Sequence, residues 1–191
     1  MPLREPWNDW FHCSGHTYGS WLRGDPRGWR ARNHREHVEG DYRNPPRKGS
    51  FERLHDRSKE LMRREAVLLA PQVQEIVCVE MVESLKRHDI EVVAAAVTAR
   101  HFHILARIPG RRARHFIGIA KKDAARKVSD LKVVQPGGLW AKRSKADPIR
   151  DRAHQINTVW YILDHVDERG AIWAPEKILT AHEERRKSKK R

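Results

Sequence analysis

The sequence predicts an α+β fold in which an antiparallel sheet is covered by helices. Three observations carry that expectation. Residues 71–88, PQVQEIVCVEMVESLKRH, place Val73, Ile76, Val77, Met81 and Leu85 on roughly one helical face. Two apolar runs, IEVVAAAVT (90–98) and HFHILARI (101–108), are joined only by Ala99-Arg100, which is short enough for a hairpin. The coarse order along the whole chain is strand, helix, hairpin, helix, strand, helix.

Each element has its own signal. WFHCSGHTY (10–18) suits a first strand, and GSWLRGDPRGW (19–29) follows with Gly, Pro and Asp turn signals. From Arg30 to about Lys48 the chain is polar, basic and rich in His, Gly and Pro, the core of a long basic loop at about 22–56. Helical patterning starts near Arg57 and breaks at Ala70-Pro71, since proline fits a first helical turn far better than a helix interior. His88-Asp89 closes the 71–88 helix. After the Pro109-Gly110 turn, residues 112–129 read as a basic helix carrying Phe116, Ile117, Ala120, Ala124 and Val128. Leu131 to Val134 and Leu139 to Arg143 read as short strands around the turn at Pro136-Gly137-Gly138. A last helix runs from Pro148 to about Val166. The end, HEERRKSKKR, is a charge run without apolar anchors and is expected to be disordered. The simplest arrangement of these elements is ferredoxin-like (RRM-type), with helices on one face of the sheet. One domain over 10–175 is expected, between an N-terminal tail (1–9) and a basic C-terminal tail (176–191).

The chain has 191 residues and a formal net charge of +14. Such an excess predicts attraction to a polyanion, of which nucleic acid is the usual one. An anionic membrane surface is the rival, but no segment approaches the roughly eighteen apolar residues a span needs. MPLREPWNDW lacks an apolar h-region, so no secretory signal is expected. Cys13 and Cys78 are far apart and match no zinc or disulfide framework, which points to a reducing cytoplasm.

Alternate side chains of a strand face opposite ways, so His101 and His103 share one face while Phe102 and Ile104 take the other. Their Cα atoms should lie about 6.5–7 Å apart, close enough for two imidazoles to converge on one divalent ion. Two half-exposed histidines on a solvated sheet face are the plainer reading, because His-x-His alone is a weak signal. A third ligand and a reactive group would change that balance.

Both are available in HQINTVWYILDHV (154–166). On a helical wheel Ile156, Val159, Trp160, Leu163 and Val166 form one apolar stripe, and His154, Thr158, Tyr161 and His165 form the opposite one. Tyr161 and His165 are one turn apart. If the helix is covered on both sides, Tyr161 is instead a core residue with a hydrogen-bonded hydroxyl. With the strand histidines, the tyrosine makes a nucleolytic constellation. A metal ion on a phosphodiester withdraws charge, and a tyrosine hydroxyl attacks to form a phosphotyrosine that conserves the bond energy for rejoining.

Three stretches carry a family likeness: AVTARHFHILARI (96–108), TYGSWLRGDPRG (17–28) and YILDH (161–165). Together they make the sequence resemble the HUH-superfamily tyrosine transposases of the small single-tyrosine insertion-sequence type, and more closely their REP-associated relatives. The resemblance covers most of residues 8–170. It implies metal ligation by His101 and His103, with Tyr161 as the nucleophile on a C-terminal helix. His165 would complete the site where the family usually has an amide. The cofactor would be Mg²⁺ or Mn²⁺, with Zn²⁺ open because imidazole is a stronger ligand for transition metals. The implied substrate is single-stranded or hairpin DNA, cleaved to a 5′-phosphotyrosine and a free 3′-OH. The implied setting is the bacterial nucleoid, as a monomer or homodimer.

Candidate DNA contacts surround these motifs. Arg100 lies beside the histidine pair, Arg111, Arg112 and Arg114 precede the next helix, and Lys121, Lys122 and Arg126 lie within it. Lys142 and Arg143 follow Trp140. Tyr18, Trp21 and Trp29 are candidates to stack on unpaired bases. Any one of them read alone is an ordinary solvated cation or core aromatic; the set is what the charge excess makes a DNA surface. His34, His37, His55 and His115 carry no comparable pattern. The rival to an enzyme is a basic RRM-like module, such as a domesticated transposase, that holds nucleic acid without cutting it.

Overall fold

The structure is a computed structural model, and it describes residues 6–26, 47, 49–134 and 138–189. The expected 30–48 loop apart from residue 47, Trp29, His34, His37 and most of the Pro136-Gly137-Gly138 turn lie outside the described residues, as does the Arg111 side chain.

Among the described residues, five strands form one open antiparallel sheet in the order β4-β1-β3-β2-β5. They are β1 (Trp10–Thr17), β2 (Glu91–Val97), β3 (His101–Arg107), β4 (Trp140–Pro148) and β5 (Ala171–Trp173). The helices are α1 (Glu52–Glu60), α2 (Pro71–Lys86), α3 (Ala113–Asp130), α4 (Arg152–Leu163) and α5 (Glu176–Lys189). The path β1-α2-β2-β3-α3-β4, with central order 4-1-3-2, is the expected ferredoxin-like topology, and β5 extends it beside β2.

Strand alternation divides the interior into two cores. Phe11, Cys13, Phe102, Ile104 and Ala106 face α2 and α3, where Val77, Met81, Leu85, Ile117, Ala120 and Ala124 meet them. Trp10, Ala94, Ala96 and Leu105 face the other way, against Val159, Ile162 and Leu163 of α4 and Ile178 and Leu179 of α5. α2 and α3 cover one face as expected, while α4 and α5 cover part of the other. His101 and His103 are in phase with Leu105, so they lie on the α4 side.

Local details correct several sequence expectations. The helix expected from Arg57 to Ala70 is α1, which begins at Glu52 inside the expected loop and ends at Glu60. The chain then runs extended past Thr17, whose hydroxyl donates to Val67 O at 2.6 Å, while Val67 N donates to Tyr18 O and Leu69 N to Ala99 O. Those bonds satisfy a backbone that Pro71 also turns away from helical geometry. Leu131 to Val134 is not a strand: it is the turn that ends α3, with Lys132 at φ 55°. Pro148 closes β4 rather than opening a helix, and α4 starts after Asp151, whose carboxylate accepts from His154 N at 2.7 Å. The helix stops at Leu163, and a 3-10 turn (Asp164–Glu168) carries His165.

The C-terminal charge run is helical to Lys189, not disordered. Its anchor is polar, which an apolar pattern search passes over. His182 is 2% exposed, bonds Asp164 through Nε2 at 2.8 Å and stacks on Trp160. Arg185 donates to the same carboxylate at 3.3 Å and lies 5.4 Å over Trp160.

Candidate metal centre and tyrosine

Tertiary structure gathers His101, His103 and His165 so that one ring nitrogen from each lies within 4.8 Å of the others. Ring centroids are 5.1 Å apart for His101–His103, 5.2 Å for His101–His165 and 4.6 Å for His103–His165. β3 supplies two of the rings through its alternation, and the 3-10 turn after α4 delivers the third. Gly170 permits that delivery. A Cβ there would come within 2.9 Å of His165 O and 3.3 Å of Val97 O, so only glycine lets the turn close against β2.

Each ring has its Nδ1 engaged. His165 Nδ1 donates to the Tyr161 and Ile162 carbonyls at 3.0 and 3.1 Å. His101 Nδ1 is 3.1 Å from Thr98 Oγ1, and His103 Nδ1 is 2.9 Å from His12 Nε2. A partner on Nδ1 orients an imidazole, and where Nδ1 donates, as in His165, the Nε2 lone pair is left for a metal. The three residues fit a divalent ion, which would be held by one ring nitrogen each of His101, His103 and His165.

Burial keeps His103 and its partner His12 neutral. Burial, reinforced by the neighbouring His12, His165 and His101, pushes the His103 pKa down to about 2. Burial pushes His12 down to about 4; Asp147 opposes the shift and Lys145 adds to it. Neutral imidazoles need release no proton before binding a metal.

Tyr161 stands at the rim of this cluster. Its ring is 5.0 Å from His165, 5.3 Å from His103 and 5.8 Å from His12, and the residue is 51% exposed. It is not a core tyrosine. The α4 wheel is rotated from its expected setting: Gln155, Thr158, Val159, Ile162 and Leu163 are buried, while Ile156 is exposed.

The expected DNA-contact residues scatter. Trp21 is exposed and stacks on His16 at 5.4 Å, and the His16 ring lies 6.2 Å from His101. Arg100 is exposed at the β2–β3 turn, directly before His101. Lys145 pairs with Ser14 on the triad's face, and Lys142 and Arg143 are exposed further along β4, where its register against β1 shifts. Tyr18 is occupied within the chain, its hydroxyl accepting from Arg63 N and its ring lying under Arg64. Lys122, Arg126 and Arg112 belong to α3 or its cap, on the opposite side of the sheet from the triad. Arg126 pairs with Asp123, and Arg112 covers Phe116. Lys121 is not a surface cation. It is 7% exposed and donates to Ala141 O and Ser144 Oγ, tying α3 to β4.

Sequence reasoning missed His12. The signal was present: His12 and His16 share the face of β1 that turns away from Phe11 and Cys13. What no local pattern supplies is the β1–β3 register, which sets Ser14 opposite His103 and His12 one step along.

No family model and no curated protein matches the chain. Among solved structures, the chain is similar to a REP-associated tyrosine transposase bound to a REP hairpin, at 13% identity and a TM-score of 0.47, over 88% of this chain and 73% of that one.

Proposed function

We propose that the protein is a metal-dependent nuclease and strand transferase acting on single-stranded DNA at hairpin or repeat ends. The observation that carries this reading is the exposed Tyr161 ring 5.0 and 5.3 Å from His165 and His103, two members of a three-imidazole metal centre. When bound, the ion draws charge from a non-bridging phosphate oxygen, and an all-imidazole donor set favours Mn²⁺ or Zn²⁺ over Mg²⁺. The Tyr161 hydroxyl attacks the phosphorus. Its oxygen–phosphorus bond forms as the bond to the 3′ oxygen breaks, leaving a 5′-phosphotyrosine and a free 3′-OH that takes up the proton. Trp21 and Arg100 beside the triad, with Arg143 and Lys145 on the edge strand, supply a sequence-tolerant path for the strand.

A covalent-adduct assay tests this. Labelled hairpin single strands, drawn from repeats flanking the gene, are incubated with protein and Mn²⁺ or Mg²⁺ and resolved on a denaturing gel beside Tyr161→Phe. A metal-dependent protein–DNA band lost in the variant is expected. Binding across the pool with no band would leave the non-catalytic nucleic-acid-binding module.

A further inference from the structure

A cleft of about 680 Å³ is lined in part by Arg100, the residue directly before His101. That volume lies within the usual range for small-ligand sites. Leu22, Met62 and Ala66 line it with apolar surface, and Lys59, Arg63 and Arg100 are exposed cations along its wall. Asp25 and Glu65 also contribute, leaving cations in excess. The wall is built rather than incidental. Gly19 adopts φ +72°, and a Cβ there would fall 2.4 Å from the Met62 methyl, so the turn after β1 is shaped to receive that side chain.

The cleft and the triad share an edge. Arg100 lines the cleft and directly precedes His101. Ser20 also lines it and donates to Arg100 O at 3.1 Å, while the next residue, Trp21, stacks on His16 beside the triad. A single strand whose phosphate reaches the triad would pass the mouth of the cleft at Arg100.

We propose that this cleft takes one unstacked nucleobase of that strand, with Lys59, Arg63 and Arg100 on the flanking phosphates. The proposal rests on the DNA reading above. A base is flat and apolar on both faces, matching Leu22, Met62 and Ala66, and its backbone carries the charge that the cationic wall complements. Apolar contact with a base face is open to any base, so sequence preference is not required.

The test uses the full chain carrying Tyr161→Phe, in chelator, so that no turnover occurs. A mixed-sequence single strand with one 2-aminopurine, walked through successive positions, is titrated and its emission followed. One position should brighten severalfold on binding. Ala66→Phe, which fills the cleft from an exposed position, should abolish that response and weaken binding about tenfold, the loss of one stacked base. Arg63→Ala should keep the responding position and lower the salt dependence by about 0.7 in log–log slope, one phosphate contact on a single strand. Zn²⁺ affinity at the triad, measured on both variants, should match that of the parent and shows that they fold. Saturable binding with no responding position, or an equal response in Ala66→Phe, overturns the cleft while the adduct assay still stands. Tighter competition by polyglutamate than by single strand also overturns it, in favour of an acidic peptide. No binding of any single strand overturns both readings.

Discussion

His12 Nε2 lies 2.9 Å from His103 Nδ1, diagonally across the β1–β3 ladder. The contact fixes the orientation of the His103 ring beside His101 and His165. Removing such a partner typically weakens metal binding about 10–100-fold. His12→Ala should show that loss in Zn²⁺ or Mn²⁺ titration calorimetry, and His12→Gln, which keeps a polar partner, should recover part of it. Unchanged affinity in His12→Ala would remove His12 from the support of the site.

Tyr161 and the triad should separate in function. Tyr161→Phe keeps the ring beside His165 and lacks only the hydroxyl, so metal affinity and DNA binding should persist while the covalent adduct disappears. His103→Ala should instead lose metal binding, and with it the adduct. An adduct that survives in Tyr161→Phe would assign the chemistry to another group.

The apoprotein should lose stability in mild acid. His12 and His103 have folded-state pKa values of about 4 and about 2, against an ordinary 6.5. Below 6.5 the unfolded chain therefore takes up protons that the folded chain refuses. The contribution of the two residues is fully present above that value. It declines as pH falls through the window down to about 4 for His12, and further down for His103. Urea midpoints across this range, measured in chelator, should fall with pH, and the fall should be shallower in His12→Gln.

Gly15 is required by its neighbour. A Cβ there would lie 2.6 Å from Cε1 of Phe102, a ring that is fully buried and held edge-on by Trp140. Gly15→Ala should cost about 1–3 kcal/mol through overpacking. Chemical denaturation would read it, and a variant as stable as the parent would mean that the Phe102 ring has room to shift.

Lys121 should matter to the fold and not to DNA. Burial lowers its pKa, and its ammonium bonds Ala141 O and Ser144 Oγ. Lys121→Met should lower the unfolding midpoint, because two acceptors lose their donor, while single-strand affinity and its salt slope stay near those of the parent. A reduced salt slope would return Lys121 to the DNA surface.

Much of the scaffold was legible because its signals are local. The 71–88 periodicity, the tight Ala99-Arg100 connection and the alternation through HFHIL each recur in α2, the β2–β3 hairpin and β3. The errors fall where the deciding partner is distant. The stretch beyond α1 looked helical until Thr17 and Ala99 claimed its backbone, and the final charge run looked disordered until Asp164 and Trp160 held His182.

The sequence by itself determined that two histidines share a face of β3 and that a tyrosine and a third histidine stand one helical turn apart, since both follow from the repeat of the local backbone. Only the tertiary structure decided that these pairs meet, because the turn at Gly170 returns the 3-10 segment to the sheet beside Val97. It also added His12 and withdrew Lys121. Strand register and helix docking are settled by contacts between residues far apart in the chain, and no window of sequence contains both partners of such a contact.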